Sequence, residues 1–110
     1  MNGTVLFVDD EAKILRSLRR SFFQSEFQTR FSESALEALS VIESEPVDIL
    51  VTDIRMPHMD GLQLLRIVRD KYPAINHIVL SGFVEQKAVM TALNSGLAST
   101  YFAKPWDDKV

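Results

Sequence analysis

The chain switches repeatedly between two hydrophobic periods, and few folds accommodate that alternation. Four short runs read as strands: Thr4-Val5-Leu6-Phe7-Val8, Val47-Asp48-Ile49-Leu50-Val51-Thr52, His77-Ile78-Val79-Leu80-Ser81 and Thr100-Tyr101-Phe102-Ala103. Residues 27–31 alternate Phe-Gln-Thr-Arg-Phe, the pattern of a half-exposed edge strand. Longer segments with helical spacing lie between these runs. Residues 11–24 place Ile14, Leu15, Leu18 and Phe22 on one face. Ser32 or Ser34 caps a second helix carrying Ala35, Leu36, Leu39 and Ile42, and Pro46 closes it. Residues 62–72 and 85–94 complete the set, with Gly96 just past the last helix. The order β-α-β-α-β-α-β-α-β predicts a parallel sheet covered on both faces. Right-handed crossovers make that a doubly wound α/β sandwich. With 110 residues, a single domain over 1–110 is expected.

Composition removes several functional classes. There is no cysteine, hence no disulfide framework, thiolate metal site or cysteine nucleophile. The net charge is −3 and no Lys/Arg cluster marks a phosphate-backbone footprint, so no direct nucleic-acid partner is expected. No apolar run approaches the length of a membrane span. Met1-Asn2-Gly3-Thr4 does not resemble a signal peptide, and a cytoplasmic location is the expectation.

In doubly wound sheets, ligands sit beyond the carboxyl ends of the strands. Here those ends carry Asp9-Asp10-Glu11, Asp53, Ser81 and Lys104. Each alone has a bland explanation. Asp9 and Asp10 could cap the first helix, Ser81 could be a turn residue and Lys104 a solvated lysine. Together they form a chemical set. Three carboxylates suit a hard divalent cation, Mg²⁺ with Mn²⁺ as a substitute, and no His or Cys offers a zinc site at these ends. A carboxylate can also act as a nucleophile and form an aspartyl-phosphate. The ammonium of Lys104 and the hydroxyl of Ser81 would stabilise a phosphoryl group there. His58 reads as a solvated loop residue and His77 as a structural one.

These residues, in this order along nearly the whole chain, resemble the receiver domain of two-component response regulators. Val8-Asp9-Asp10-Glu11 looks like the acidic pair after the first strand. The segment Asp53-Ile54-Arg55-Met56-Pro57-His58-Met59-Asp60-Gly61 looks like the phosphoacceptor loop, with Pro57 and Gly61 as its structural residues. Ser81-Gly82 looks like the hydroxyl switch position and Lys104-Pro105 like the pair closing the last strand. The resemblance implies a flavodoxin-like sheet of order 2-1-3-4-5. It implies that Asp53 accepts a phosphoryl group from a sensor histidine kinase or a phosphotransfer protein. Asp9, Asp10, Asp53 and the backbone carbonyl of Arg55 would hold Mg²⁺, and Lys104 would pair with the phosphoryl group. Pro105 would follow a cis bond. Ser81 and Tyr101 would form a switch pair that reshapes the face made by the fourth helix, fifth strand and fifth helix. Such a domain promotes its own phosphorylation and dephosphorylation but acts as a signal carrier rather than an enzyme.

Trp106-Asp107-Asp108-Lys109-Val110 holds at most the first turn of the fifth helix such a domain carries. The expectation is therefore a truncated or missing fifth helix, a longer parent protein and a C-terminal output domain. Lys104-Pro105-Trp106-Asp107-Asp108 resembles receivers joined to cyclic-dinucleotide phosphodiesterases. Uncovered apolar surface on the last strand and on helices one and four would favour a homodimer, or be covered by the parent protein.

Other readings fit less well. A phosphatase of the haloacid-dehalogenase kind needs a second Asp two residues after its nucleophile, and that position is Arg55. A flavin carrier shares the fold class, but Asp9-Asp10-Glu11 would repel a phosphate. A phosphate-independent interaction module would be favoured by a degenerate set of strand-end residues, and here every acidic, hydroxyl and lysine position is filled. Arg55 and Phe83 lie two residues beyond Asp53 and Ser81, positions that the resemblance to receivers implies flank the path of attacking water. Their bulk is expected to slow acyl-phosphate hydrolysis. The Arg55→Ala, Phe83→Ala variant should lose its phosphoryl group faster, and an unchanged or longer lifetime by intact mass would refute this.

Overall fold

Nine elements follow one another in the computed structural model, which describes residues 3–81 and 86–103, with the side chains of 3–80 and 87–101. They are β1 (Thr4–Val8), α1 (Ala12–Ser21), β2 (Gln28–Ser32), α2 (Ala35–Ser44), β3 (Ile49–Asp53), α3 (Gly61–Lys71), β4 (Asn76–Ser81), α4 (Gln86–Asn94) and β5 (Thr100–Ala103). The five strands are parallel and ordered β2-β1-β3-β4-β5. The fold is the doubly wound, flavodoxin-like sandwich expected from the sequence. Glu85 and the residues of a fifth helix lie outside the described residues.

Strand periodicity sorts the core into two layers. Leu6, Val8, Leu50 and Val79 face α2, α3 and α4, where Ala38, Leu64, Leu65, Val68 and Ala92 meet them. Val5, Phe7, Val51 and Leu80 point the other way and pack with Leu15 and Leu18 of α1. Phe7 anchors this second layer, with Phe31 stacked on it at 5.4 Å and Phe22 tilted against it at 5.2 Å. Full burial of an aliphatic side chain such as Leu64 contributes roughly 2 kcal/mol.

Local chemistry sets the boundaries. α1 ends at Ser21, three residues before the periodicity suggests, because Phe22 turns back onto Phe7 and the Ser25 hydroxyl organises the turn by accepting the Phe27 N–H at 3.3 Å. Ser34 rather than Ser32 caps α2, accepting the Glu37 N–H at 3.1 Å. β3 starts at Ile49 rather than Val47, since Asp48 is drawn to Thr4, whose N–H it accepts at 2.8 Å. Gly96 ends α4 at φ +76, and the amides of Gly96 and Leu97 close onto the carbonyls of Leu93 and Ala92. This is the paired-bond helix stop that the lone glycine forecasts.

His77 lies on the α3–α4 side of β4 and is buried. Its Nδ1–H donates to the Leu97 carbonyl at 2.8 Å, tying β4 to the α4–β5 connection. Burial pushes its pKa below the ordinary 6.5; the Leu97 carbonyl opposes that shift and Arg69 reinforces it. The unfolded chain therefore takes up this proton more readily. The stability that neutral His77 contributes is complete above the unfolded pKa and drains away as pH falls beneath it. The urea midpoint should drop between about pH 7.5 and about pH 5.5, and His77→Gln should drop less over the same interval. Identical pH slopes for the two proteins would refute the assignment.

Candidate functional site

β1 and β3 are adjacent, and Val8 stands opposite Thr52. The next residue of each strand is an aspartate, so Asp9 and Asp53 come level at the carboxyl edge of the sheet. Asp10 follows directly. Carboxylate oxygens of Asp9, Asp10 and Asp53 all lie within 4.8 Å of one another. Asp9 and Asp53 are buried, whereas Asp10 is exposed. The cluster thus has a sheltered base and an open side.

Asp9 has a second task. Its Oδ1 accepts the Glu11 N–H at 2.8 Å, while Glu11, at the N-cap of α1, supplies no side-chain cap of its own. Asp9 thus belongs to the carboxylate cluster and also bonds the backbone just ahead of α1, without capping the helix. The Thr52 hydroxyl donates to the Asp53 carbonyl at 2.9 Å.

The loop from Asp53 to α3 is clamped at its far end. Asp60 caps α3 by accepting the Gln63 N–H at 2.9 Å, and the Gln63 side chain accepts the Asp60 N–H at 3.0 Å. Gly61 donates its N–H to the Ile54 carbonyl at 2.8 Å. A Cβ on Gly61 would overlap the Asp53 carbonyl oxygen and come within 2.9 Å of the Asp53 carbonyl carbon. Only glycine allows α3 to start so close to the end of β3. Between them, Met59 N–H bonds the Pro57 carbonyl at 2.9 Å around His58, whose φ is +72. His58 is exposed, as a solvated loop residue should be, but it also occupies the left-handed region, a strained position for a side chain.

The other expected residues are only partly in view. Ser81 ends β4, its backbone opposite Ala103, and Asp53 stands opposite Leu80, so the backbones of both strand ends reach the same edge. The Ser81 side chain lies outside the described side chains, and Gly82, Phe83, Lys104 and Pro105 lie outside the described residues. Tyr101 is 41% exposed. The Asp60–Gln63 clamp was missed by sequence reasoning, although Asp-x-x-Gln ahead of an apolar run is its signature. A cleft of about 670 Å³ opens beside the cluster, lined by Asp10, the segment from Ile54 to Pro57, Asp60, Leu62, Lys87 and Ala88.

Three oxygen-donor carboxylates gathered this closely are a donor set for a hard divalent cation. The response regulator receiver domain model matches residues 5–110. The chain belongs to the response regulator receiver domain family. It is 36% identical over 104 residues to the hydrogenase transcriptional regulatory protein HoxA of Cupriavidus necator, covering 94% of this chain and 21% of HoxA. It is 31% identical over 107 residues to sporulation initiation phosphotransferase F of Bacillus subtilis, covering 97% of this chain and 86% of that protein. The solved signal receiver domain of an HD domain-containing protein from Pseudomonas fluorescens Pf-5 superposes with a TM-score of 0.90 at 31% identity, covering 99% of this chain and 87% of that one. The receiver spans about a fifth of the length of HoxA. As a receiver it is a signalling domain of two-component systems. No helix among the described residues is long and apolar enough to cross a membrane.

The glycine clamp makes a direct prediction. Gly61→Ala should lower the urea-derived stability of the receiver by about 1–3 kcal/mol, the usual cost of forcing atoms into a filled space. Because the displaced atoms belong to Asp53, the variant should also bind Mg²⁺ more weakly by calorimetry. Unchanged stability and Mg²⁺ affinity would show that the β3–α3 junction yields freely.

Proposed function

We propose that Asp53 is the phosphoacceptor of this receiver and that Asp9, Asp10 and Asp53, with the backbone carbonyl of Arg55, hold Mg²⁺. The observation that carries the reading is the convergence of the three carboxylates within 4.8 Å at the carboxyl ends of β1 and β3. Asp53 is the member at the end of the central strand, with its main chain held by Gly61 and Thr52. That fixed backbone suits an in-line nucleophile, because little reorientation is needed before attack. A carboxylate oxygen of Asp53 attacks the phosphorus of a phosphohistidine on a sensor histidine kinase or phosphotransfer protein. The P–N bond breaks, and the histidine nitrogen leaves with its electron pair. Mg²⁺, when bound, offsets the negative charge that a phosphoryl group brings to a site already rich in carboxylates.

Lys104 is the proposed cation for the phosphoryl oxygens, reached through the Lys104-Pro105 turn after β5, whose peptide bond is proposed to be cis. The Ser81 hydroxyl is proposed to bond a phosphoryl oxygen, and Tyr101 to turn inward from its half-exposed position as Ser81 moves. The resulting population shift extends only as far as the phosphoryl group contacts one state better than the other. The reshaped α4–β5 face would then control an output domain of a longer protein. A cyclic-dinucleotide phosphodiesterase is the output proposed from the Lys104-Pro105-Trp106-Asp107-Asp108 sequence.

Incubation with acetyl phosphate and Mg²⁺ should raise the intact mass by one phosphoryl group, and Asp53→Asn should abolish the gain. Omitting the divalent cation should slow the gain at least about tenfold, a common scale for losing charge stabilisation at a phosphoryl group. Phosphorylation of Asp53→Asn to the same extent as the parent chain would overturn the assignment.

A further inference from the structure

β2 is the outermost strand on one side of the sheet, paired with β1. The Gln28 N–H donates to the Gly3 carbonyl at 2.8 Å, and the Ser32 carbonyl accepts the Asp9 N–H at 3.1 Å. Both ends of the strand therefore turn backbone groups toward β1. Backbone direction alternates along a strand, so Arg30 does the same, while Thr29 and Phe31 direct their N–H and C=O groups to the open edge. An open edge of this kind is a template for another strand.

Two arginines stand over it. Arg30 lies opposite Leu6, on the side of the sheet that carries α2. Its Nε donates to Glu45 Oε1 at 2.7 Å, at the C-cap of α2. Its Nη1 donates to the Thr29 carbonyl at 3.0 Å. That carbonyl is an acceptor that an added strand would use, and the guanidinium already occupies it. On the other face the Phe31 ring is stacked on Phe7 at 5.4 Å, with the Arg19 guanidinium 4.4 Å from its centroid. The Arg30 and Glu45 side chains keep 42% and 35% of their surface exposed, so a strand laid along the edge would strip water from a charged pair.

From this geometry we infer that the β2 edge is a strand-addition surface held shut by Arg30, and that the occupant it excludes is β2 of a second copy of the chain. The second copy follows from the strand's own pattern. Two antiparallel β2 strands centred on Arg30 set Thr29 of each opposite Phe31 of the other, which engages the outward-facing backbone groups of both strands. Such a contact is isologous and closes at two copies. The same register sets Arg30 directly against its own copy, a facing pair of like charges. Arg30 thus opposes pairing twice, by taking the Thr29 carbonyl and by bringing its charge to the centre of the register. The inference rests on β2 alone and needs neither metal nor phosphoryl group.

Light scattering behind size exclusion reads the mass, and NMR hydrogen exchange reads single amides, over a range of chain concentrations. In the parent chain the Thr29 and Phe31 amides should exchange freely at every concentration. Arg30→Val, and Arg30→Thr as a milder replacement that also favours strand, should raise the mass toward that of two chains. Exchange at Thr29 and Phe31 should then slow by at least about tenfold, because pairing protects an amide. Adding Thr29→Pro to either variant should restore the parent's mass, since proline removes an edge N–H that β1 does not use. Arg30→Lys, which keeps the charge at the centre of the register, should also stay at the parent's mass. Arg30→Val and Arg30→Thr chains that fold, by their urea transitions, yet keep the parent's mass and exchange would overturn the inference. So would association that leaves Thr29 and Phe31 exchanging freely, because the copies would then meet on another face. Protection of these two amides that grows with concentration in the parent chain would show the edge already open, and would overturn it as well.

Discussion

The carboxylates of Asp9 and Asp53 lie within 4.8 Å of each other because the β1–β3 ladder allows them no other place. Two like charges at this distance repel by about 3 kcal/mol at an effective dielectric of about 20. Hydrogen bonds between two central strands, and the apolar layers on both faces, hold against that repulsion. A cation, or a modification that redistributes the charge, finds a ready purchase there. The surrounding devices, the glycine clamp, the Asp60–Gln63 cap and the Thr52 hydroxyl, all restrain the same short stretch of main chain.

Rigidity is distributed unevenly around that edge. β3 is central and buried, and its exit into α3 leaves no space for a single methyl group. On the far side, α4 and β5 present Met90 and Tyr101 to solvent. His77 holds the opposite end of the α4–β5 connection through Leu97. A local chemical change can bias a surface only if that surface has alternatives.

Much of the fold could be read directly from residue patterns. The continuous apolar runs of β1, β3 and β4 marked central strands, the alternation of residues 27–31 marked the edge, and Gly96 marked the end of α4. The errors were local. α1 was expected to run to Gln24, and the return of Phe22 onto Phe7 ends it earlier, a contact that periodicity does not encode. Val47 and Asp48 resembled strand but serve as its approach, because the Asp48 side chain is engaged by Thr4 from a distant part of the chain. Asp60 was read as loop although its bond to Gln63 begins a helix.

Residue types and their order along the chain were enough to name the three acidic residues that the structure gathers at the strand ends, since chemistry is carried by side-chain identity and strand ends are marked by where hydrophobic runs stop. Distance is another matter. Asp9 and Asp53 are 44 residues apart in sequence, and their proximity depends on which strands pair and in what register. The clash that requires glycine at position 61, and the cleft lined jointly by Asp10, the β3–α3 loop and α4, likewise arise between segments that are not neighbours in the chain. Such facts belong to packing, because they come from the mutual placement of whole elements, which no local pattern of residues specifies.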